Sequence, residues 1–208
     1  MPIELPRLYP ITDAHLTGLS HAEQVRRLHA GGASLIQLRE KYASPHDFYE
    51  AAKVALRVAR DLGVRLIIND RADIAFALKA DGVHLGQDDL PVEAARRLLG
   101  TDAIIGYSTH NFEQAVEAAR APLDYIAVGP IYQTKSKENP DPVMGLENLR
   151  RVREAINSIP LVAIGGITRL NAAQVLRAGA DSVAVISDLF EEPAKIEQRT
   201  REFFDILR

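Results

Sequence analysis

The chain contains no cysteine, which excludes disulfides, thiolate metal sites and cysteine nucleophiles. It has no tryptophan, and aromatic residues make up 6% of its 208 positions. That is too little to build a stacking platform for single-stranded nucleic acid. No apolar stretch approaches the roughly 18 residues needed to span a bilayer. The segment from Met1 to Pro10 carries Glu4 and Arg7 between early prolines and has no apolar signal core. An excess of one charge is missing too. Lys plus Arg is 25, Asp plus Glu is 28, and the net charge is -3. This balance gives no electrostatic reason for nonspecific nucleic-acid binding, though it leaves room for a local basic pocket. These absences point to a cytoplasmic globular protein whose partners are neither nucleic acid nor membrane.

Short apolar runs alternate with longer amphipathic ones. The short runs are Leu8–Ile11, Leu35–Leu38, Arg65–Ile68, Gly82–Leu85, Ala103–Gly106, Tyr125–Val128, Leu161–Ile164 and Ser182–Ile186. Brief continuous runs of Ile, Val and Leu suit strands buried on both faces, as in a parallel sheet. Helical patterns lie between them. Ser20 and Glu23 form a capping box, Ser44 and Pro45 open a pattern that Gly63 ends, and Pro91 and Asn111 open two more. Further patterns cover Arg71–Leu78, Leu146–Ile156, Asn171–Arg177 and Pro193–Leu207. Eight strands alternating with eight helices predict an α/β fold, a (β/α)8 TIM barrel, over residues 1–208 as a single compact domain. Three helix-to-strand turns echo one another, at Lys79–His84, Pro122–Ala127 and Ala178–Ala184.

In such barrels, active sites form where the strands end. After the second run stand Gln37, Arg39 and Lys41, placed on one side of an extended strand end by the two-residue period. An amide and two cations there suit an anion with a hydrogen-bonding head; a solvated strand edge is the bland alternative. After the third run come Asn69 and Asp70, and after the fourth Asp88 and Asp89. Asp70 with either of the latter suits Mg²⁺, which takes one or two carboxylates, waters and substrate phosphates. Each Asp also has an ordinary explanation as a helix N-cap. Ser108 follows the fifth run, with no nucleophile elbow around it. After the sixth run, Gly129 to Pro142 is long, polar and without helical period, as expected of a lid over the mouth, and it holds Thr134, Ser136 and Lys137. Gly165 and Gly166 follow the seventh run and Ser187 the eighth, a frequent phosphate location in these barrels. His84 lies inside a strand and reads as a satisfied core histidine. His21, His29 and His46 read as surface or helix-start residues. One cationic zone with a metal and one backbone zone suggest a transferase handling a diphosphate and a phosphate monoester.

Taken in order, Gln37-Leu-Arg-Glu-Lys41, Ile68-Asn-Asp-Arg71, Gly82-Val-His-Leu-Gly-Gln87, Gly129-Pro-Ile-Tyr132 and Ile164-Gly-Gly-Ile167 resemble the thiamine phosphate synthase family, from Leu8 to about Phe190. The resemblance implies a Mg²⁺-assisted, dissociative condensation of 4-amino-2-methyl-5-hydroxymethylpyrimidine diphosphate with a (carboxy)thiazole phosphate. The products are thiamine phosphate and diphosphate. It implies that Gln37, Arg39, Lys41, Asn69, Ser108 and Lys137 hold the pyrimidine diphosphate, with Arg39, Lys41 and Lys137 catalytic. Asp70 and Asp89 would be the Mg²⁺ ligands, which selects Asp89 over Asp88. Thr134, Ser136, Gly166, Ile186 and Ser187 would hold the thiazole phosphate. Two positions depart from the family's pattern, which often has proline where Gln133 stands and threonine where Ser136 stands. Ser136 keeps the hydroxyl. Assembly into a homo-oligomer is left open.

Three other readings compete. A thiazole tautomerase-like isomerase on the same barrel would not need the diphosphate cluster. A Schiff-base aldolase would need Lys41 or Lys137 desolvated. A noncatalytic phosphate-binding barrel would not need the charged mouth.

Overall fold

The computed structural model describes residues 3–134 and 141–208. Eight parallel strands close on themselves in sequence order. They are β1 (Leu8–Asp13), β2 (Leu35–Arg39), β3 (Arg65–Asn69), β4 (Gly82–Leu85), β5 (Ile104–Thr109), β6 (Tyr125–Val128), β7 (Leu161–Ile164) and β8 (Ser182–Val185). Closure comes from β8 pairing with β1, through Leu8 opposite Val183 and Pro10 opposite Val185. The helices are α1 (Ala14–Thr17), α2 (His21–Ala30), α3 (Pro45–Leu62), α4 (Ala72–Leu78), α5 (Val92–Leu99), α6 (Phe112–Ala118), α7 (Gly145–Ile156), α8 (Ala172–Arg177), α9 (Ser187–Phe190) and α10 (Ile196–Ile206).

Local chemistry accounts for the best-defined helices. Ser44 accepts the Asp47 N–H to start α3, Pro45 occupies its first turn, and Gly63 ends it at φ 69°. Asn111 likewise caps α6 by accepting the Gln114 N–H. The capping box at α2 is half made. Ser20 accepts the Glu23 N–H, but the Glu23 carboxylate turns to Arg27 at 2.7 Å. The two four-residue helices, α1 and α9, are too short to leave a periodic signal. His21 stands at a helix start as expected, yet it is buried.

The two-residue period splits the core into two compartments. Leu8, Ile36, Leu38, Leu66, Ile68, Ile126 and Val183 face the helices. Tyr9, Leu35, Ile67, Tyr125, Ala127, Val162 and Ala184 fill the lumen. Continuing that alternation puts Gln37, Arg39, Asn69, His84 and Ser108 on the lumen side, where the apolar filling stops. Strands β1, β2, β3 and β5 run beyond their apolar stretches to Asp13, Arg39, Asn69 and Thr109, so the polar residues stand on rigid strand ends.

The three echoing turns do the same job. Asp81 accepts the Leu66 N–H at 2.8 Å, Asp124 the Ile105 N–H at 2.7 Å, and Asp181 the Leu161 N–H at 2.8 Å. Each aspartate precedes an even-numbered strand and ties down the start of the preceding odd one. Asp124 is also paired with Arg96 at 2.6 Å, and Asp181 with Arg153 at 2.8 Å. Removing such an acceptor strands a backbone donor, which costs about 1–3 kcal/mol. An exposed ion pair is worth about 0–1 kcal/mol. We therefore expect Asp124→Ala to lower the urea midpoint by an amount equivalent to about 1–3 kcal/mol at unchanged m. Glu117→Ala, which breaks only the exposed Arg120 pair, should cost a fraction of that. Equal effects from the two variants would refute a structural role for the repeated aspartates.

Candidate active site

A cavity of about 590 Å³ opens at the C-terminal ends of the strands, within the range of small-molecule sites. Gln37, Arg39, Lys41, Asn69, Asp70, Asp89, Ser108, Thr134, Gly166, Ile186 and Ser187 all line it. The candidates from nearly every strand end thus share one space. Ser136 and Lys137, with the middle of the expected lid, residues 135–140, lie outside the described residues.

On the β2 side, Arg39 is held against Asp13 at 3.0 Å. Glu40 organises the turn that follows. Its carboxylate accepts the N–H groups of Tyr42 at 2.8 Å and Ala43 at 3.2 Å, and lies 3.3 Å from His21 Nε2. The other His21 nitrogen meets Thr12 at 2.8 Å. Burial pulls the His21 pKa down, against the pull of Glu40. Glu40, His21 and Asp13 were not legible in the sequence as neighbours of the site: none of them lines the cavity, and they meet Arg39, Thr12 and one another only through the fold.

Next to this lies an acidic pair. Lys41 Nζ contacts Asp70 at 2.5 Å. Asp70 sits at φ 63°, a region non-glycine residues seldom adopt, and its N–H is bonded to the His84 carbonyl. Neither carboxylate acts as the helix cap that would have explained it. Arg71 and Pro91 stand at the N-cap positions of α4 and α5, without side-chain capping bonds. Asp89 instead accepts the Gly86 N–H at 2.6 Å. Burial raises the Asp89 carboxyl above its ordinary range; the Gly86 bond opposes this and the neighbouring Asp70 charge reinforces it. Two carboxylates crowded together and only partly neutralised suit a divalent cation. Among the described residues no group of three or more metal-binding side chains exists. That donor set fits Mg²⁺, which keeps waters and substrate oxygens, and does not fit a protein-only cage.

On the opposite wall, Gly165 and Gly166 adopt φ 97° and 64°. A Cβ on Gly166 would fall 2.4 Å from the Gln133 carbonyl, and one on Gly165 would fall 2.5 Å from Pro130. The two glycines therefore serve first to pack the β7 loop against the β6 loop, leaving their backbone beside Ser187 and Thr134 at the cavity wall. The structure adds lining residues that the sequence did not single out, among them Tyr9, Ile11, Gln114 and Asp141. His84 is satisfied on both nitrogens, as expected of a core histidine, but it also faces this cavity.

The model of the family described as thiamine monophosphate synthase matches residues 8–189. The chain belongs to the thiamine monophosphate synthase family. Within that family it is 50% identical over 212 residues to the thiamine-phosphate synthase of Koribacter versatilis, covering 99% of this chain and 97% of that one. It is 49% identical over 182 residues to the enzyme of the same name from Chloroflexus aurantiacus, with 87% and 83% covered. Among solved structures it is similar to a thiamine phosphate pyrophosphorylase from Pyrococcus furiosus. That match has a TM-score of 0.86 and 38% identity, covering 97% of this chain and 95% of that one.

The raised Asp89 has a consequence for stability. Its contribution is nil below the unfolded value of 3.8; the penalty grows as pH rises from there through the higher folded value and is complete above it. Asp89→Asn keeps an oxygen for the Gly86 N–H and removes the charge. In chelator we expect this variant to melt above the parent near neutral pH, the advantage shrinking as pH falls toward 3.8. A thermal melt series across pH checks this, and a variant less stable at neutral pH would contradict it.

Proposed function

We propose that the chain is a thiamine-phosphate synthase, joining a pyrimidine diphosphate to a thiazole phosphate with release of diphosphate. The observation that carries this is the meeting, in one cavity, of Arg39 and Lys41 with the Asp70 and Asp89 carboxylates, across from the Gly165–Gly166 backbone. A diphosphate and a phosphate monoester each find a chemically matched wall. Family membership points the same way.

In the dissociative reaction, the carbon–oxygen bond to the diphosphate breaks first. The pyrimidine-methyl cation that remains is stabilised by its own amino-substituted ring, and the thiazole nitrogen then attacks it. The demand on the protein is to stabilise charge growing on the leaving group. Arg39 is pre-oriented for this by Asp13, and Lys41 by the Glu40 turn behind it; Lys137 is proposed as a third cation. Bound Mg²⁺, held by Asp70 and Asp89, would supply further positive charge to the diphosphate oxygens. Asn69 and Ser108 hydrogen-bond the same substrate. Thr134, Ser136, Gly166, Ile186 and Ser187 hold the thiazole phosphate. The site works in the cytoplasm on small molecules, and its fit to two phosphorylated substrates calls for neither nucleic acid nor membrane.

The rivals fit less well. A tautomerase acting on thiazole phosphate alone has no use for the cation-and-carboxylate wall. A Schiff-base lysine must be desolvated, whereas Lys41 is 44% exposed and ion-paired.

The test is one incubation of both substrates with Mg²⁺. Diphosphate release should depend on the thiazole phosphate; release without it would mean hydrolysis. Lys137→Ala is expected to lower kcat by about 10²–10³, the usual cost of one donor to developing charge, with the melting temperature unchanged. Asp70→Ala should lose the Mg²⁺-dependent activity, and activity and metal response matching the parent's would refute the metal assignment.

A further inference from the structure

A chain of polar groups crosses the lumen at the cavity floor, where Tyr9, Gln37, His84 and Ser108 line the cavity and Tyr125 lies behind them. Gln37 Nε2 donates to the Tyr9 hydroxyl at 3.4 Å. The Tyr9 and Tyr125 hydroxyls lie 3.0 Å apart. Tyr125 is 2.9 Å from His84 Nδ1, and His84 Nε2 is 2.8 Å from Ser108 Oγ. Tyr9, Gln37, His84 and Tyr125 are all buried. The strands make room for the links. Gly106 lies opposite Tyr125 in the β5–β6 register, and a Cβ there would sit 2.3 Å from the Tyr125 oxygen. The Tyr125 ring also packs against His84, with centroids 5.5 Å apart and planes 20° from parallel.

Each hydroxyl carries one proton, so the direction of one link sets the next. With the Gln37 amide donating, the Tyr9 proton goes to Tyr125 and the Tyr125 proton to His84 Nδ1. A neutral His84 then carries its proton on Nε2 and donates it to Ser108. In the reverse direction Tyr9 would receive two bonds, from Gln37 and Tyr125, and its own buried proton would have no acceptor in the chain. An unmet buried donor is costly, so the forward order wins.

We propose that this chain runs from Gln37 to Ser108, and that Tyr125 and His84 are positioning residues that keep the Ser108 hydroxyl a donor toward substrate. The proposal rests on the synthase reading only in that Gln37 and Ser108 contact the pyrimidine diphosphate. The chemistry gives the direction its use. Diphosphate oxygens only accept hydrogen bonds. A serine that spent its proton on His84 would present lone pairs to an anion; a serine that accepts from His84 keeps its proton for the ligand. The barrel interior thereby makes the polarity of one ligand contact independent of loop motion.

The experiment has two arms. The first reads the His84 tautomer by ¹⁵N NMR in the ligand-free full chain, for the parent and for Tyr125→Phe, which keeps the ring. We expect the Nε2–H form in the parent and its loss in the variant. The Nδ1–H form in the parent, or an unchanged tautomer in Tyr125→Phe, overturns the proposal. The second arm is steady-state kinetics. Tyr125→Phe and His84→Leu should raise KM for the pyrimidine diphosphate about 10-fold, with KM for the thiazole phosphate unchanged. His84→Gln, whose amide N–H can still donate to Ser108, should recover most of the loss. Unchanged pyrimidine KM in both Tyr125→Phe and His84→Leu also overturns the proposal. If the parent itself turns over no substrate, the synthase reading fails, and the tautomer arm still judges the chain.

Discussion

Pairing of β8 with β1 closes the sheet, and that closure governs what every strand must carry. A closed parallel sheet has an inside and an outside, and a two-residue period assigns each side chain to one of them. The outside must meet helices and is apolar along its length. The inside is filled mainly by apolar side chains, and toward the strand ends it turns polar on the β2–β5 side, through Gln37, Arg39, Asn69, His84 and Ser108, while Ile164 and Ile186 keep the β7–β8 side apolar. The site is therefore the top layer of the barrel's own core, continued by strand ends.

That layer stores unfavourable electrostatics. Asp70 is held in a left-handed backbone conformation beside a second carboxylate, and Asp89 resists ionisation. The stability to hold them comes from elsewhere: the helix-facing core, and the aspartates that clamp strand starts at the opposite end. Separating a stabilising bottom from the polar top lets the fold tolerate this local strain and charge crowding.

A net charge of -3 conceals this arrangement. Arg39 and Lys41 are matched locally by Asp13 and Asp70, so the basic wall adds nothing to the total. Its function depends on direction, with cations presented to one side of a cavity, and a sum over residues carries no direction.

Local sequence determined the elements. The α3 boundaries follow from Ser44, Pro45 and Gly63, and β4, β6 and β7 coincide with their apolar runs. These are short-range effects of capping, backbone freedom and side-chain period, so they are written in consecutive residues. The polar strand ends were legible for the same reason, as was the set of motifs that marks the family. What only the tertiary structure decided is which groups meet. That Asp70 and Asp89 cap no helix, that His21 is buried behind Glu40, and that Tyr9 and Tyr125 link Gln37 to Ser108 all depend on contacts between strands far apart in the chain. Hydrogen bonds and carboxylate repulsion act over a few ångströms in space, and barrel closure, rather than position in the chain, sets those distances.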